Sequence, residues 1–191
     1  MFAFWHLSFI PVTLREIDNL LSQSSDSYCD LDRVPITVLK KISNAISSTI
    51  LSIVNLSINT GTFPSTLKSS IISSLLKKSS LNKEDLSNYR SIANLSFISK
   101  LTEKIVKKRL LDHLTFNSLL NPFQSAYTKF YSTETTLLSL HDHLSNAISM
   151  QHVSCLCLLD LSAAFDTLDH SILLRLSTWF GISSVSLQWF T

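Results

Sequence analysis

Residues 153–170 read VSCLCLLDLSAAFDTLDH, an apolar run that arrives at an acid, Asp160, and then passes Phe165, Asp166 and Asp169. The span from 153 to 160 has the length and composition of a buried strand. A carboxylate at the mouth of such a strand is costly unless a cation, hydrogen bonds or solvent access compensates it. A strand also delivers its last side chain to a fixed point. Two-metal phosphoryl transfer needs that, because ions about 3.5–4 Å apart require acidic oxygens held without slack. Asp160 is therefore a candidate metal ligand, and a strand-end acid bonded to backbone amides is the alternative. Asp169 reads as a helix cap and Asp166 as a turn acid or an outer contact.

Upstream, Pro35 opens a stripe of Leu39, Ile42, Ile46, Ile50, Ile53 and Val54 at helical spacing, closed by Gly61 and Pro64. Residues 69–76 (SSIISSLL) read as a short strand or an irregular apolar stretch, and 77–90 (KKSSLNKEDLSNYR) as a loop. A helix is expected over 96–114, with Ile98, Leu101 and Ile105 on one side and Lys100, Lys104, Lys107 and Lys108 on another. The lysine face suits nucleic-acid phosphates or plain solvent. Asn121-Pro122 interrupts the chain. Ser132 or Thr133 is placed to cap a third helix, with Glu134 in its first turn and Leu137, Leu140, His141, Leu144 and Ile148 as its buried stripe. His141 and His143 fall on different faces, which disfavours a metal pair. After the 153–160 run, Asp169 starts a helix through Leu173, Leu176 and Phe180 that ends at Gly181. The sum is an α/β chain, mostly helical, with at least one buried strand.

Composition sets limits. The 191 residues hold 45% apolar and 16% charged side chains, which suits a packed body. Two glycines leave no glycine-rich phosphate loop, and a net charge of +2 demands no polyanionic partner. Three cysteines, Cys29, Cys155 and Cys157, indicate a reducing, intracellular setting, nucleus or cytoplasm, rather than a disulfide scaffold. Cys155 and Cys157 should share one strand face as buried thiols. The opening MFAFWHLSFIPV is broken by Pro11, far short of the ~20 residues that span a bilayer. It also lacks the basic flank and cleavage site of a signal peptide. A phosphoaspartate hydrolase would put a second Asp two residues beyond the first, but Ser162 stands there.

The run LLDLSAAFDTLDHSILLRLSTWFGIS closely resembles the first palm motif of non-LTR (LINE-type, CR1/jockey-like) retrotransposon reverse transcriptases. GTFPSTLKSSIISSLLKKSSLNKEDLSNYRSIANLSFISKLTEKIVKKRLLDHL and NPFQSAYTKFYSTETTLLSLHDHL resemble the fingers of the same family, and CDLDRVPITVLKK a still earlier part. These matches run in order along nearly the whole chain. The resemblance implies the fingers and partial palm of a right-hand polymerase, with residues 1–68 a helical extension of the fingers and 69–191 the fingers and start of the palm. It implies RNA-directed DNA synthesis on an RNA template and DNA primer with dNTPs and two Mg²⁺ ions, while the want of a bilayer-long apolar run gives the expectation of no membrane partner.

Residue by residue, the resemblance makes Asp160 the first catalytic, metal-binding aspartate, assisted by the Leu161 carbonyl. Phe165 falls at the steric gate that excludes a ribose 2′-OH, and an ordinary core aromatic is the other reading. Arg90 should grip the triphosphate, helped by Lys77 or Lys78. Tyr89, Gln124 and Tyr127 resemble positions near the template. Departures are Ser91 for the usual proline, Thr128 for a basic residue and Tyr131 for a frequent histidine. Nothing in the 191 residues resembles the FADD/YADD-type hairpin carrying the other catalytic aspartates, the motif before it, or the thumb, endonuclease and RNase H regions. The expected consequence is a polypeptide inactive by itself. The alternative is a non-catalytic nucleic-acid-binding fragment or a non-functional remnant.

Overall fold

The computed structural model describes residues 6–26, 29–161 and 167–191. The helical stripe after Pro35 is two helices, α2 (Ile36–Lys41) and α3 (Ser43–Thr60), separated where Ile42 leaves helical dihedrals (φ −103°, ψ 18°). Ser43 and Asn44 follow the break, residue types that compete for backbone hydrogen bonds and weaken helix continuity. As expected, α3 ends at Gly61, which adopts φ +65° and donates its N–H to the Ser57 carbonyl. A Cβ there would lie 2.5 Å from the Val185 carbonyl oxygen, so this glycine serves both the turn and the close approach of the chain's last helix.

A helix for which the sequence reading made no provision, α1 (Leu14–Gln23), precedes them. Its Thr13 cap accepts from the Glu16 N–H, and only Ile17 and Leu21 are buried, a stripe too short to declare itself. The helix expected over 96–114 is α4 (Phe97–Phe116), capped by Ser96 accepting from the Ser99 N–H. Ile17 and Leu21 of α1, Ile50, Val54 and Ile58 of α3, and Leu101, Ile105 and Val106 of α4 form the core. Each such side chain contributes about 1.5–3 kcal/mol on burial.

Polar contacts fix how these helices meet. Arg109 of α4 donates through both terminal guanidinium nitrogens to the two carboxylate oxygens of Glu16 on α1, each at 2.7 Å. Asp32 accepts from the Phe97 N–H at 2.8 and 3.1 Å, placing an anion at the N-terminus of α4. Asn55 of α3 accepts from the Val12 N–H and donates to its carbonyl, tying the segment before α1 to α3.

Residues 69–76 do form a strand, β1 (Ser70–Leu76), paired antiparallel with β2 (Tyr89–Leu95) in the register Ser70↔Leu95 to Leu76↔Tyr89. The expected loop therefore yields its last two residues, Tyr89 and Arg90, to β2. Beyond α4 come α5 (Thr133–Ser149), α6 (His170–Trp179) and α7 (Ser184–Gln188). Ser132 caps α5 through a reciprocal bond with Thr135, and Asp169 caps α6, both as expected. The α5 stripe, however, is not buried: Leu137 and Ile148 are exposed, Leu140 and Leu144 only half-buried, and His141 is at the surface. An amphipathic face is buried only when another element covers it, and no described element packs closely enough on α5 to do so. The N-terminal segment and the chain's end are laced together. The Leu7 N–H donates to the Gly181 carbonyl and the Ser186 hydroxyl to the Leu7 carbonyl.

The largest correction concerns residues 153–161, which form no strand and are solvent-exposed throughout. Leu159 is 90% exposed. A strand exists only by pairing, and the only sheet among the described residues is β1–β2. The fold class is thus mostly helical with a small antiparallel sheet. Among the described residues no helix is long and apolar enough to cross a membrane.

The Arg109–Glu16 fork yields a pH prediction. Its hydrogen bonds hold the Glu16 carboxyl below its ordinary pKa against the opposing effect of burial. A lowered folded-state pKa means the stabilisation is complete above the ordinary value of 4.5 and is lost as pH falls through the folded value. Glu16→Gln should lower unfolding stability by about 1–3 kcal/mol at neutral pH. In urea melts the gap to the parent should close as the pH is taken below that range.

Candidate functional site

The β1–β2 hairpin delivers the cationic residues that the sequence singled out. The loop from 77 to 88 is held by its own side chains. Asp85 accepts from the Ser87 N–H, Asn82 accepts from the Glu84 N–H, Asn88 donates to the Asn82 carbonyl, and the Tyr89 hydroxyl donates to the Lys83 carbonyl. The Ser87 hydroxyl and N–H keep the Asp85 carboxyl below its usual pKa. Lys77 is drawn into this scaffold. Its backbone N–H donates to the Asn88 carbonyl and its Nζ to the Ser87 carbonyl at 2.7 Å.

Lys78, the next residue, is exposed and has no side-chain partner among the described residues; Arg90 is the same. Arg90 lies in β2 opposite Leu75, not in a loop, so its Cα position is set by the ladder. Ser91 lies beside it opposite Ser74. Of the two lysines left open by the sequence, Lys78 is the one whose ammonium is uncommitted.

Asp160 is exposed within the irregular 153–161 segment, and the Leu161 side chain is 78% exposed. Phe165 and Asp166 lie outside the described residues. Asp169 is occupied as a cap, accepting from the Ser171 N–H and hydroxyl and the Ile172 N–H at 2.7–3.2 Å, which lowers its pKa. Among the described residues no group of three or more His, Cys, Asp or Glu is arranged to hold a metal ion. One carboxylate and one carbonyl do not make the ligand set of a two-ion centre. The structure brings Arg90 and Lys78 to one hairpin but does not bring Asp160 into contact with either.

The remaining polar candidates are plain. Gln124 donates to the Ala126 carbonyl, Thr128 donates to the Gln124 carbonyl, and Tyr127 is 84% exposed with φ +62°. His141 sits 3.8 Å from Asp142 at the surface.

A groove of about 1140 Å³ opens elsewhere, between α1, α4 and the chain's last residues. Lys100, Lys104 and Lys107 line it with Lys68, while Lys108 is turned to Asp112 in an ion pair at 3.0 Å. Asp160, Arg90 and Lys78 are not among its lining residues. The lysine spacing was visible in the sequence. The facing walls, from Leu20, Phe63 and Trp189, were not.

The sequence model of the reverse transcriptase (RNA-dependent DNA polymerase) family matches residues 76–191, more than half of the chain. The chain therefore belongs to the reverse transcriptase family. The match covers the hairpin from its last β1 residue, α4 to α7, and Asp160 with its neighbours. Comparison with curated proteins and with solved structures returned no match. Family members act on RNA templates, DNA primers and dNTPs and generally use divalent metal ions.

The exposure of the Asp160 segment is directly measurable. Cys155 and Cys157 are exposed free thiols, contrary to the buried pair expected of a strand, and Cys29 is buried. Iodoacetamide labelling of the native chain, read by peptide mass spectrometry, should modify Cys155 and Cys157 and spare Cys29 until denaturant is added. Protection of the first two in the native chain would mean that the 153–161 run is covered.

Proposed function

We propose that this chain is the fingers and leading palm of a non-LTR, LINE-type reverse transcriptase, contributing to Mg²⁺-dependent RNA-directed DNA synthesis. The observation that carries the reading is the family match over residues 76–191. The collinear resemblance of the fingers stretches to CR1/jockey-like elements supports the subtype. Residues 1–68 are then the helical extension of the fingers, and 69–191 the fingers and start of the palm.

In this assignment Arg90 binds the triphosphate of an incoming dNTP. A guanidinium fork matches phosphate oxygens bidentately, and the strand fixes where the fork originates. Lys78 adds a second, exposed positive charge from the adjoining loop. Both are unpaired among the described residues, as a phosphate-binding pair must be before its ligand arrives. Phe165 is assigned the sugar gate that rejects ribose. Asp160, with the Leu161 carbonyl, is assigned to the first metal-binding position. Those two donors fall short of what two ions require, so residues 1–191 expressed alone do not extend a primer.

Two measurements test this. RNA-templated primer extension with the purified 191-residue chain, Mg²⁺ and dNTPs should give no product, and clear extension would overturn the inactivity. Binding of a fluorescent dNTP, followed by anisotropy, should weaken roughly tenfold in Arg90→Ala, the loss of one charged hydrogen-bonding group. A smaller loss is expected in Lys78→Ala, and none in Lys77→Ala. Equal affinity in parent and Arg90→Ala would remove Arg90 from the site.

A further inference from the structure

The groove beside α4 combines features that the polymerase reading does not use. Lys100, Lys104 and Lys107 follow one another at i, i+4 and i+7, a line of about 10 Å along the helix. With Lys68 they set four ammonium groups around the groove against one acidic side chain, Glu103. None of the four makes a salt bridge or a side-chain hydrogen bond among the described residues. The neighbouring cations Lys108 and Arg109 are both paired with acids.

The interior of the groove is apolar. Leu20, Ile36, Leu67, Leu95 and Leu110 line it, with the deeply buried Leu101 and Val106 at its base. At about 1140 Å³ it exceeds the ~300–1,000 Å³ of a small-molecule pocket.

The aromatic side chains at its end are committed to the protein. Trp189 stands edge-to-face with Phe9, Phe63 and Phe190 at 5.3–6.3 Å, and its indole N–H donates to the Ser57 hydroxyl. Single-stranded nucleic acid needs open ring faces on which bases stack, and here the rings pack on one another instead. An apolar trough flanked by a helical row of lysines that make no salt bridge among the described residues is complementary to a helix with one apolar face and acids along its flank. We propose that this groove docks an acidic amphipathic helix of a protein partner, with leucine-like anchors on Leu101, Val106 and Leu110 and carboxylates on Lys100, Lys104 and Lys107. The inference stands apart from the dNTP-binding assignment, because the two use different residues.

The test uses the full 191-residue chain and a labelled, designed probe peptide of about 18 residues, long enough for five turns. It carries leucines on one helical face and glutamates at i, i+4 and i+7 beside them. Anisotropy should show salt-sensitive binding. Exchanging the three lysines for glutamate (K100E/K104E/K107E) should weaken it roughly tenfold or more. A peptide with lysines in place of the glutamates should bind that variant and not the parent. Since all three lysines are exposed, unchanged far-UV circular dichroism should accompany the loss. Peptide binding indifferent to the triple exchange would overturn the proposal. So would a single-stranded RNA of equal charge that binds more tightly than the peptide and is lost in the same variant, which would make the groove a nucleic-acid track.

Discussion

The two-point contact between Arg109 and Glu16 is the constraint on which the helical body turns. It joins residues 93 positions apart, and both side chains are largely removed from solvent. A monodentate or exposed pair would contribute little, but a guanidinium fork on a carboxylate fixes orientation as well as distance. With α1 tied to α4, Ile17 and Leu21 join the same core cluster as Ile105 and Val106, and α3 packs against both helices. The groove follows from the same geometry, because its walls are the C-terminal turn of α1 and the next face of α4.

The hairpin is governed by different physics. It lies largely at the surface and draws its order from the ladder and from short polar contacts in its loop. Asp85, Asn82 and Asn88 occupy backbone groups that would otherwise need water, and Lys77 adds a cation to a carbonyl. A loop tied this way presents its next residue, Lys78, from a defined position, and the strand does the same for Arg90. Rigid backbone with uncommitted cationic ends is a favourable arrangement for meeting a polyphosphate.

Much of the local structure was legible in the sequence. Ser132, Asp169 and Gly61 act where their side chains, or the lack of one, make them act, and caps need only the next few residues. The same holds for the apolar side of α4. The misreadings share one cause. Residues 153–160 and the α5 stripe are apolar enough to predict burial, but burial requires a second surface that composition cannot name. Helix α1 is the converse case, since two buried side chains suffice once the core is there to receive them.

The family, the helix boundaries marked by caps and glycine, and the cations and acid that are candidates for chemistry are all written in the residue order. These depend on residue identity and on neighbours within a turn or two, where hydrogen-bond geometry is local. Folding alone settles that Lys77 is engaged while Lys78 is not, that Arg90 rides on a strand, and that three lysines of α4 overlook an apolar trough. The first two depend on strand pairing and loop contacts within the hairpin, and the third on how α1 and the chain's last residues pack beside α4.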